Sequence, residues 1–242
     1  IGASSTGKAT WILVPTSDAA PTVPTVHYVS GTLRYRQDGV IITVPLAPSR
    51  IEVLPNPNLV VQYFHQRDVF SDDPFTDPIE PSIPFTLGVL VRNEGYGTAR
   101  NFRIISGQPE IIENEKGLLV DFKIIATEVA GQNLTPSLTA NFGNVGPGQI
   151  VIGRWLFTST LQGNFREYTA SFAHQDELGD PRLSLIEAVT IHEMTRMVEV
   201  GAPFNDGKPD FLVNDKGDPR NMPDTLYLSD GSTNDEIGRA HV

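Results

Sequence analysis

Apolar and polar residues alternate along much of the chain, and this alternation predicts β-strands. In residues 85–92, the side chains of Phe85, Leu87, Val89 and Val91 share one face, which is the period of two expected of a half-buried strand. Further strand-like runs, separated by Gly, Pro and Asn, occupy residues 10–14, 32–36, 40–44, 51–54, 59–64, 101–106, 118–127, 137–142, 149–159 and 168–172. Their length and spacing are typical of an antiparallel β-sandwich.

Two segments add local detail to this prediction. Asp38-Gly39 separates two strand-like runs and predicts a tight hairpin, because primed turns require positive φ at both central residues. Residues 183–200 contain several β-branched positions and no helical stripe of apolar residues. We therefore predict a long strand there, with a bulge near His192-Glu193 that reconciles its two apolar faces.

Composition divides the chain into three parts. For residues 1–50 the pattern predicts a small N-terminal strand unit, and for residues 51–200 it predicts a β-sandwich. Residues 201–242 are rich in turn-forming residues and are predicted to form an acidic arm or linker. The arm contains two short apolar islands, 211–213 and 226–228, that are able to add edge strands. The predicted fold class is all-β: an antiparallel, immunoglobulin-like β-sandwich with an additional N-terminal strand unit and an extended C-terminal arm.

The two ends of the chain indicate a fragment of a longer protein. The first residues contain neither Met nor a signal-peptide pattern, and strand-like sequence begins almost at once. Residues 236–242, which read EIGRAHV, resemble the in-frame translation of a common sequencing adapter. We therefore expect the natural chain to continue differently after about Asp235.

Composition and charge narrow the functions open to such a chain. The 18 Lys and Arg against 29 Asp and Glu give a net charge of −11, which argues against a nucleic-acid partner. The absence of Cys excludes disulfides, Cys-ligated metal sites and thiol catalysis. No apolar run reaches the roughly 18 residues typical of a membrane span, so none is predicted.

A longer pattern resembles a known family. Residues 88–104, GVLVRNEGYGTARNFRI, combine a strand, an Asn-x-Gly-x-Gly-Thr-Ala connection and a second strand. Residues 142–149, FGNVGPGQ, precede an apolar strand that contains Trp155. Over about residues 51–200 the chain resembles CARDB-like modules, the cell-adhesion-related, immunoglobulin-like sandwiches of bacteria and archaea. It departs from the simplest members through an insert at 71–84 and a long connection at 108–118.

The resemblance implies an extracellular surface or matrix module, usually repeated in long chains and without catalytic residues. Within its motif, Gly95 and Gly97 are expected to supply the positive-φ positions of the connection between the two strands. Pro147-Gly148 is expected to form the turn into the next strand.

Two acidic stretches are candidate calcium sites, because Ca²⁺ takes about six to eight oxygen ligands. The first comprises Asp68, Asp72, Asp73, Asp77 and Glu80. The second comprises Asp206, Asp210, Asp215 and Asp218, without the residue spacing of an EF-hand. Solvated acidic turns are the simpler interpretation of both stretches.

Other motifs carry less chemistry. His192-Glu193 begins a zinc-protease pattern, but Arg196 stands where the second His is required, which excludes that class. Nucleophile-elbow, Walker and dinucleotide-binding patterns are absent, whereas paired glycosidase carboxylates are defined by distance in space rather than in sequence. Asn133 begins an N-glycosylation sequon, and exposed aromatic residues at 63–65 or at Tyr96 would indicate carbohydrate binding.

These observations predict a non-enzymatic structural module of a longer extracellular surface, matrix or filament-forming protein. We expect it to act through strand and arm contacts with neighbouring copies or adjacent modules, made by segments 11–14 and 211–227. An arm folded back onto its own chain is the simpler alternative for the second segment. The alternative function is a calcium-dependent carbohydrate-binding or adhesion module of a secreted protein, with glycans as partners.

Overall fold

The chain folds almost entirely into β-strands. The computed structural model describes residues 6–105, 121–164, 184–203, 205–216 and 222–235. Within these residues there is one 3-10 turn, at Ser17–Ala19, and no α-helix. The all-β, sandwich-like prediction is confirmed. Two compact units divide the chain, residues 1–56 and residues 57–242.

The first unit is built from two antiparallel strand pairs, which we call the ribbon. Its strands are β1 (Thr25–Val29), β2 (Thr32–Gln37), β3 (Val40–Pro45) and β4 (Ser49–Val53). β2 pairs with β3 around Asp38 and Gly39, whose φ values of 49° and 82° confirm the predicted hairpin turn. β1 pairs with β4, so this unit extends to Asn56 rather than ending at residue 50.

The predicted strand at residues 10–14 does not form within this chain, and that prediction is wrong for the structure described. Residues 6–16 are extended or irregular, and Trp11 and Ile12 are both 76% exposed. A strand requires a partner for its backbone hydrogen bonds, and a local apolar pattern does not supply one.

The second unit is organised around a nine-stranded sheet. Its strands are β5 (Leu59–Gln66), β7 (Phe85–Asn93), β9 (Phe122–Val129), β10 (Gln132–Leu134), β12 (Ile150–Ser159), β14 (Ile186–Val198), β15 (Asp210–Val213), β16 (Thr225–Tyr227) and β17 (Thr233–Asn234). They lie in the order β10-β9-β12-β7-β5-β14-β15-β16-β17. Two further pairs join β6 (Asp68–Val69) to β13 (Gly163–Asn164) and β8 (Ala99–Ile104) to β11 (Ala140–Val145).

One strand pair differs from the antiparallel prediction. β14 runs parallel to β5, with Ile191 beside Tyr63 and Met194 beside Gln66. The long strand predicted at 183–200 is present, but its register against β15 shifts between Met194 and Arg196 rather than at His192-Glu193. Alternation along one strand predicts which side chains share a face, and it contains no information about the direction of the neighbouring strand.

The larger core lies between the sheet and the β8–β11 pair. Tyr63 and Trp155 from the sheet and Ile104 and Val145 from the covering pair are all buried in one cluster. Gly153 permits this close approach, because a Cβ at this position would lie 2.8 Å from the Phe142 ring. The two layers give the sandwich character of the fold.

A second core forms on the opposite face of the sheet, where Phe64, Leu90 and Ile152 are buried with Phe211 and Val213. In a flat sheet, β15 would be about 14 Å from β7, since neighbouring strands are about 4.8 Å apart. Nevertheless, the Phe211 ring lies directly over Gly88 of β7, where an added Cβ would be 2.5 Å from it. The sheet therefore curls, and its C-terminal strands cover its own second face.

The predicted extended arm is corrected by this arrangement. The apolar islands at 211–213 and 226–228 coincide with β15 and β16, each of which begins one residue earlier, and Phe211 and Val213 are fully buried. Burial of these side chains stabilises the folded-back arrangement, with roughly 1.5–3 kcal/mol for each large apolar side chain removed from water. The islands are thus part of the core of this unit. Residues 236–242 lie outside the described residues.

Candidate functional site

The first acidic stretch forms a closed surface loop, residues 70–84, which we call the acidic loop. The Asp73 N–H donates to Glu80 Oε2 at 3.0 Å, and the Glu80 N–H donates to Asp72 Oδ1 at 3.1 Å. Asp73 Oδ1 accepts a further bond from the Phe75 N–H. Three of the five predicted calcium ligands therefore accept hydrogen bonds from the loop's own backbone.

The pKa of Glu80 is consistent with these hydrogen bonds. The Asp73 N–H, followed by the Thr76 hydroxyl, holds the pKa of Glu80 below its ordinary value. Asp68 lies in β6, half-buried, whereas Asp77 is exposed at the tip of the loop. Among the residues described, no three His, Asp or Glu side chains lie close enough to hold one metal ion. Calcium binding at this stretch stays a prediction.

The carboxylates of the second acidic stretch bind different partners. Asp206 accepts a hydrogen bond from the Ser229 hydroxyl and forms an ion pair with Lys208. Asp210 is buried and accepts hydrogen bonds from the N–H groups of Val200 and Ser229. Asp215 faces a different partner, described next, and Asp218 lies outside the described residues. The structure does not bring the three described carboxylates together, and calcium binding here also stays a prediction.

His192, itself buried, anchors a polar cluster between β14 and β16. Its Nδ1 lies 2.8 Å from Asp215 Oδ1 and must donate, because a carboxylate oxygen only accepts. The Tyr227 hydroxyl donates to the other oxygen of Asp215 at 2.6 Å, and the imidazole stacks on Phe64. Burial and this hydrogen bond raise the pKa of Tyr227 above its ordinary value. The cluster ties the C-terminal strands to the centre of the sheet.

A second buried imidazole, His65, lies on β5 near the Phe85 ring. Burial lowers its pKa to about 3 from the ordinary value of 6.5. It is therefore neutral at physiological pH, and its effect on stability changes with acidity.

The resemblance motif is organised by Asn93, whose side chain is completely buried. Its Nδ2 donates to the carbonyls of Gly97 and Val145, and its Oδ1 accepts the N–H groups of Asn58 and Gly95. The expectation that Gly95 and Gly97 supply positive φ is wrong, because neither lies in the left-handed region, whereas Gly148 does. Hydrogen bonds from one amide shape the connection in place of glycine φ values.

The predicted glycan-related residues have mixed surroundings. Asn133 lies in β10, an exposed strand at the edge of the large sheet, where its side chain is accessible. Tyr96 is 63% exposed, but Tyr63, Phe64 and His65 are buried in β5. Glycosylation of Asn133 and carbohydrate binding stay predictions.

The ribbon presents exposed apolar side chains along one face of its β2–β3 pair. In the β2–β3 register, Leu33 faces Val44, Tyr35 faces Ile42 and Gln37 faces Val40, so these side chains share one uncharged face. Leu33, Tyr35, Val40 and Val44 are 39–64% exposed. We call this the apolar face of the ribbon. The alternation at 32–36 and 40–44 contained this signal, but the exposure of these side chains among the described residues is visible only in three dimensions.

Comparisons of the chain with protein-family models, curated proteins and solved structures give no significant match. In the part of the chain that the structure describes, no helix has the length and apolar character needed to cross a bilayer. Function must therefore be argued from the surfaces described above.

Proposed function

We propose that this chain is a non-catalytic structural module of a longer extracellular surface, matrix or filament-forming protein. It associates with neighbouring copies through its ribbon. The observation that carries the proposal is the exposed apolar face of β2 and β3.

Physical arguments favour association over an isolated ribbon. Two-stranded hairpins are marginally stable in water, and three or more strands or a packed face are needed for independent stability. Among residues 6–56, the described part of the first unit, Ala20 is the one buried apolar residue, so the ribbon has almost no core there. Covering the apolar face with a neighbour would stabilise it by removing that surface from water.

The edge of the ribbon favours strand addition. β3 reads Val-Ile-Ile-Thr-Val-Pro, with no charged residue and five β-branched residues. Such an edge presents unpaired backbone groups to an incoming strand. The extended residues Trp11 to Val14 are exposed and have strand-like sequence, so they are suitable partners for such an edge.

Two features support the extracellular part of the proposal. The resemblance of residues 88–104 and 142–149 to CARDB-like modules implies a surface or matrix setting. The absence of Cys is compatible with it, since this unit is stabilised by its two cores rather than by disulfides.

The test is the association state of the whole chain, measured by sedimentation velocity over a wide concentration range. We expect concentration-dependent association, and the double variant Leu33→Ser/Val44→Ser to weaken it by about 10-fold or more, because two apolar side chains lose their burial. Ile105→Ser, which changes an exposed apolar residue of the second unit, is the matched control and should associate normally.

Hydrogen exchange supplies an independent readout. Amides of β2 and β3 should gain protection on association, while those of β7 and β12 should not change. A wild-type chain that remains monomeric at every concentration would contradict the proposal. Normal association of the double variant would contradict the role of the ribbon. Parallel runs with calcium and with a chelator test the calcium-dependent alternative, which predicts association or glycan retention only with the ion.

A further inference from the structure

The ribbon has a second face of different chemistry from its apolar face. Across the β2–β3 pair, Arg34 faces Thr43 and Arg36 faces Ile41, and all four side chains are exposed. We call these four residues the basic face. In the other strand pair, Tyr28 lies opposite Arg50, and both are exposed. Arginine and tyrosine are the residue types most enriched at protein interfaces.

The acidic loop of the second unit has the complementary chemistry. Between residues 68 and 84 there are five carboxylates and no Lys or Arg. Large apolar side chains accompany these charges, since Phe75 is 75% exposed and Ile79 is 88% exposed. Exposed apolar side chains surrounded by charge are typical of interaction surfaces.

The loop is held in shape by its own contacts. Besides the Asp72, Asp73 and Glu80 bonds described above, the Ile83 N–H donates to the Phe70 carbonyl at 2.9 Å and closes the base of the loop. The Ser71 and Ser82 hydroxyls both donate to the Ser159 carbonyl at the end of β12. A loop that is already ordered loses little conformational entropy when a partner binds.

We infer that the basic face of one copy docks on the acidic loop of a second copy of this chain. The inference rests on the proposed function and adds to it a second contact, made by the opposite face of the ribbon. Charge complementarity supports it: residues 1–56 carry four Lys or Arg and three Asp or Glu, whereas residues 57–242 carry 14 and 26. Because the two surfaces differ, the contact is heterologous and generates a ring or an open chain of copies.

The other acidic segment of the second unit is a poorer match. There, Lys208 and Lys216 are interspersed with the carboxylates, and Asp206 already pairs with Lys208. Its large apolar side chains, Phe211 above all, are buried in the second core. The acidic loop therefore combines uncompensated charge and exposed apolar area in a way that residues 205–216 do not.

The test uses two variants of the full chain, each with one surface disabled. Arg34→Glu/Arg36→Glu reverses the basic face, and Asp77→Lys/Ile79→Ser alters the loop at exposed positions, leaving Asp72, Asp73 and Glu80 intact. Each variant alone should associate at least about 10-fold more weakly than the wild type. Arg100→Glu/Arg103→Glu, a matched reversal of two exposed arginines on β8, should associate normally.

Mixing the two disabled variants is the decisive step. Each retains the surface that the other has lost, so the mixture should associate more tightly than either variant alone. Association of the wild type should weaken from 50 to 500 mM salt, because screening shortens the range of the charge contacts.

The outcomes separate this inference from the proposed function. If Asp77→Lys/Ile79→Ser associates normally while Leu33→Ser/Val44→Ser does not, copies meet through their apolar faces. The inference is then overturned and the proposed function stands. The inference is also overturned if the mixture associates no more tightly than either variant alone, or if association does not depend on salt. A wild-type chain that never associates overturns both.

Discussion

At the residue scale, two buried polar side chains decide how neighbouring segments are held. Asn93 connects the start of β5, the β7–β8 connection and β11 through four hydrogen bonds of one amide. His65 is buried in β5 with its imidazole neutral. Such groups are costly when their partners are removed or when they must take up charge.

Replacing Asn93 should destabilise the second unit substantially. We expect Asn93→Ala to lower the free energy of unfolding by about 2–4 kcal/mol, because it leaves two buried carbonyls and two N–H groups without this partner. Asn93→Asp should cost at least as much, since a carboxylate cannot donate to the Gly97 and Val145 carbonyls. Urea unfolding followed by the fluorescence of buried Trp155 measures the effect. Asn141→Ala, at an exposed Asx turn, is the control and should cost less than about 1 kcal/mol.

His65 should make the stability of the second unit depend on pH. Below about pH 6.5 the His65 imidazole of the unfolded chain is protonated, whereas in the folded chain it stays neutral down to about pH 3. Stability is therefore complete above pH 6.5 and falls as the pH is lowered through this window, by up to about 1.4 kcal/mol per pH unit.

Unfolding in urea at pH 6.5 and at pH 4.5 checks this expectation. His65→Leu should show a clearly shallower loss of stability over this interval, whereas His27→Gln, in the first unit, should follow the wild type. Equal pH dependence of His65→Leu and the wild type would show that another group dominates.

At the element scale, the C-terminal strands are the least expected feature of the fold. Turn-forming residues separate β15, β16 and β17, and this pattern predicts an arm when taken alone. In the structure, Phe211 stacks on Phe64 with ring centroids 4.1 Å apart, and Gly88 leaves space for the ring. Because Gly88 has no side chain, β7 leaves space for the Phe211 ring, and the sheet can close over its second face.

Substitution of Gly88 tests this account. Gly88→Ala should displace the Phe211 ring and destabilise the second unit by about 1–3 kcal/mol, as overpacking of a core does. The double variant Gly88→Ala/Phe211→Leu should lose less stability than the sum of the losses of the two single variants. The added methyl group and the Phe211 ring compete for the same space, and the second substitution removes the ring. Gly201→Ala is the control, since a Cβ there would contact nothing within 4 Å. Urea midpoints of the four variants provide the measurement.

Strand prediction worked best for long runs and for the tight hairpin, although β7 is buried on both faces rather than half-buried as predicted. The alternation at 85–92 corresponds to β7, and the hairpin around Asp38-Gly39 forms as predicted. The two-residue strands β6, β13 and β17 lack any period that a sequence pattern can detect. Segment 168–172, predicted as a strand, lies outside the described residues.

At the scale of the whole molecule, the two units differ in both core and charge. The second unit has two buried clusters and carries the excess of carboxylates, whereas the ribbon has little core and more cations than anions. A domain is stabilised by burying apolar surface. The buried clusters of the second unit therefore account for its stability, whereas the ribbon buries too little apolar surface to be stable by itself. This difference is the physical basis for proposing that the ribbon is completed by a neighbouring copy.

The sequence by itself determined the all-β class, most of the long strands, the Asp38-Gly39 hairpin, the absence of disulfides and the charge difference between the two units. These properties depend on composition or on residues a few positions apart. Only the tertiary structure decided that β14 lies parallel to β5, that Phe211 lies over Gly88, and that Asp72 and Glu80 bind the loop backbone. These contacts depend on how distant segments pack: the side-chain nitrogens Gln62 Nε2 and His192 Nε2 lie 3.5 Å apart across 130 positions of sequence.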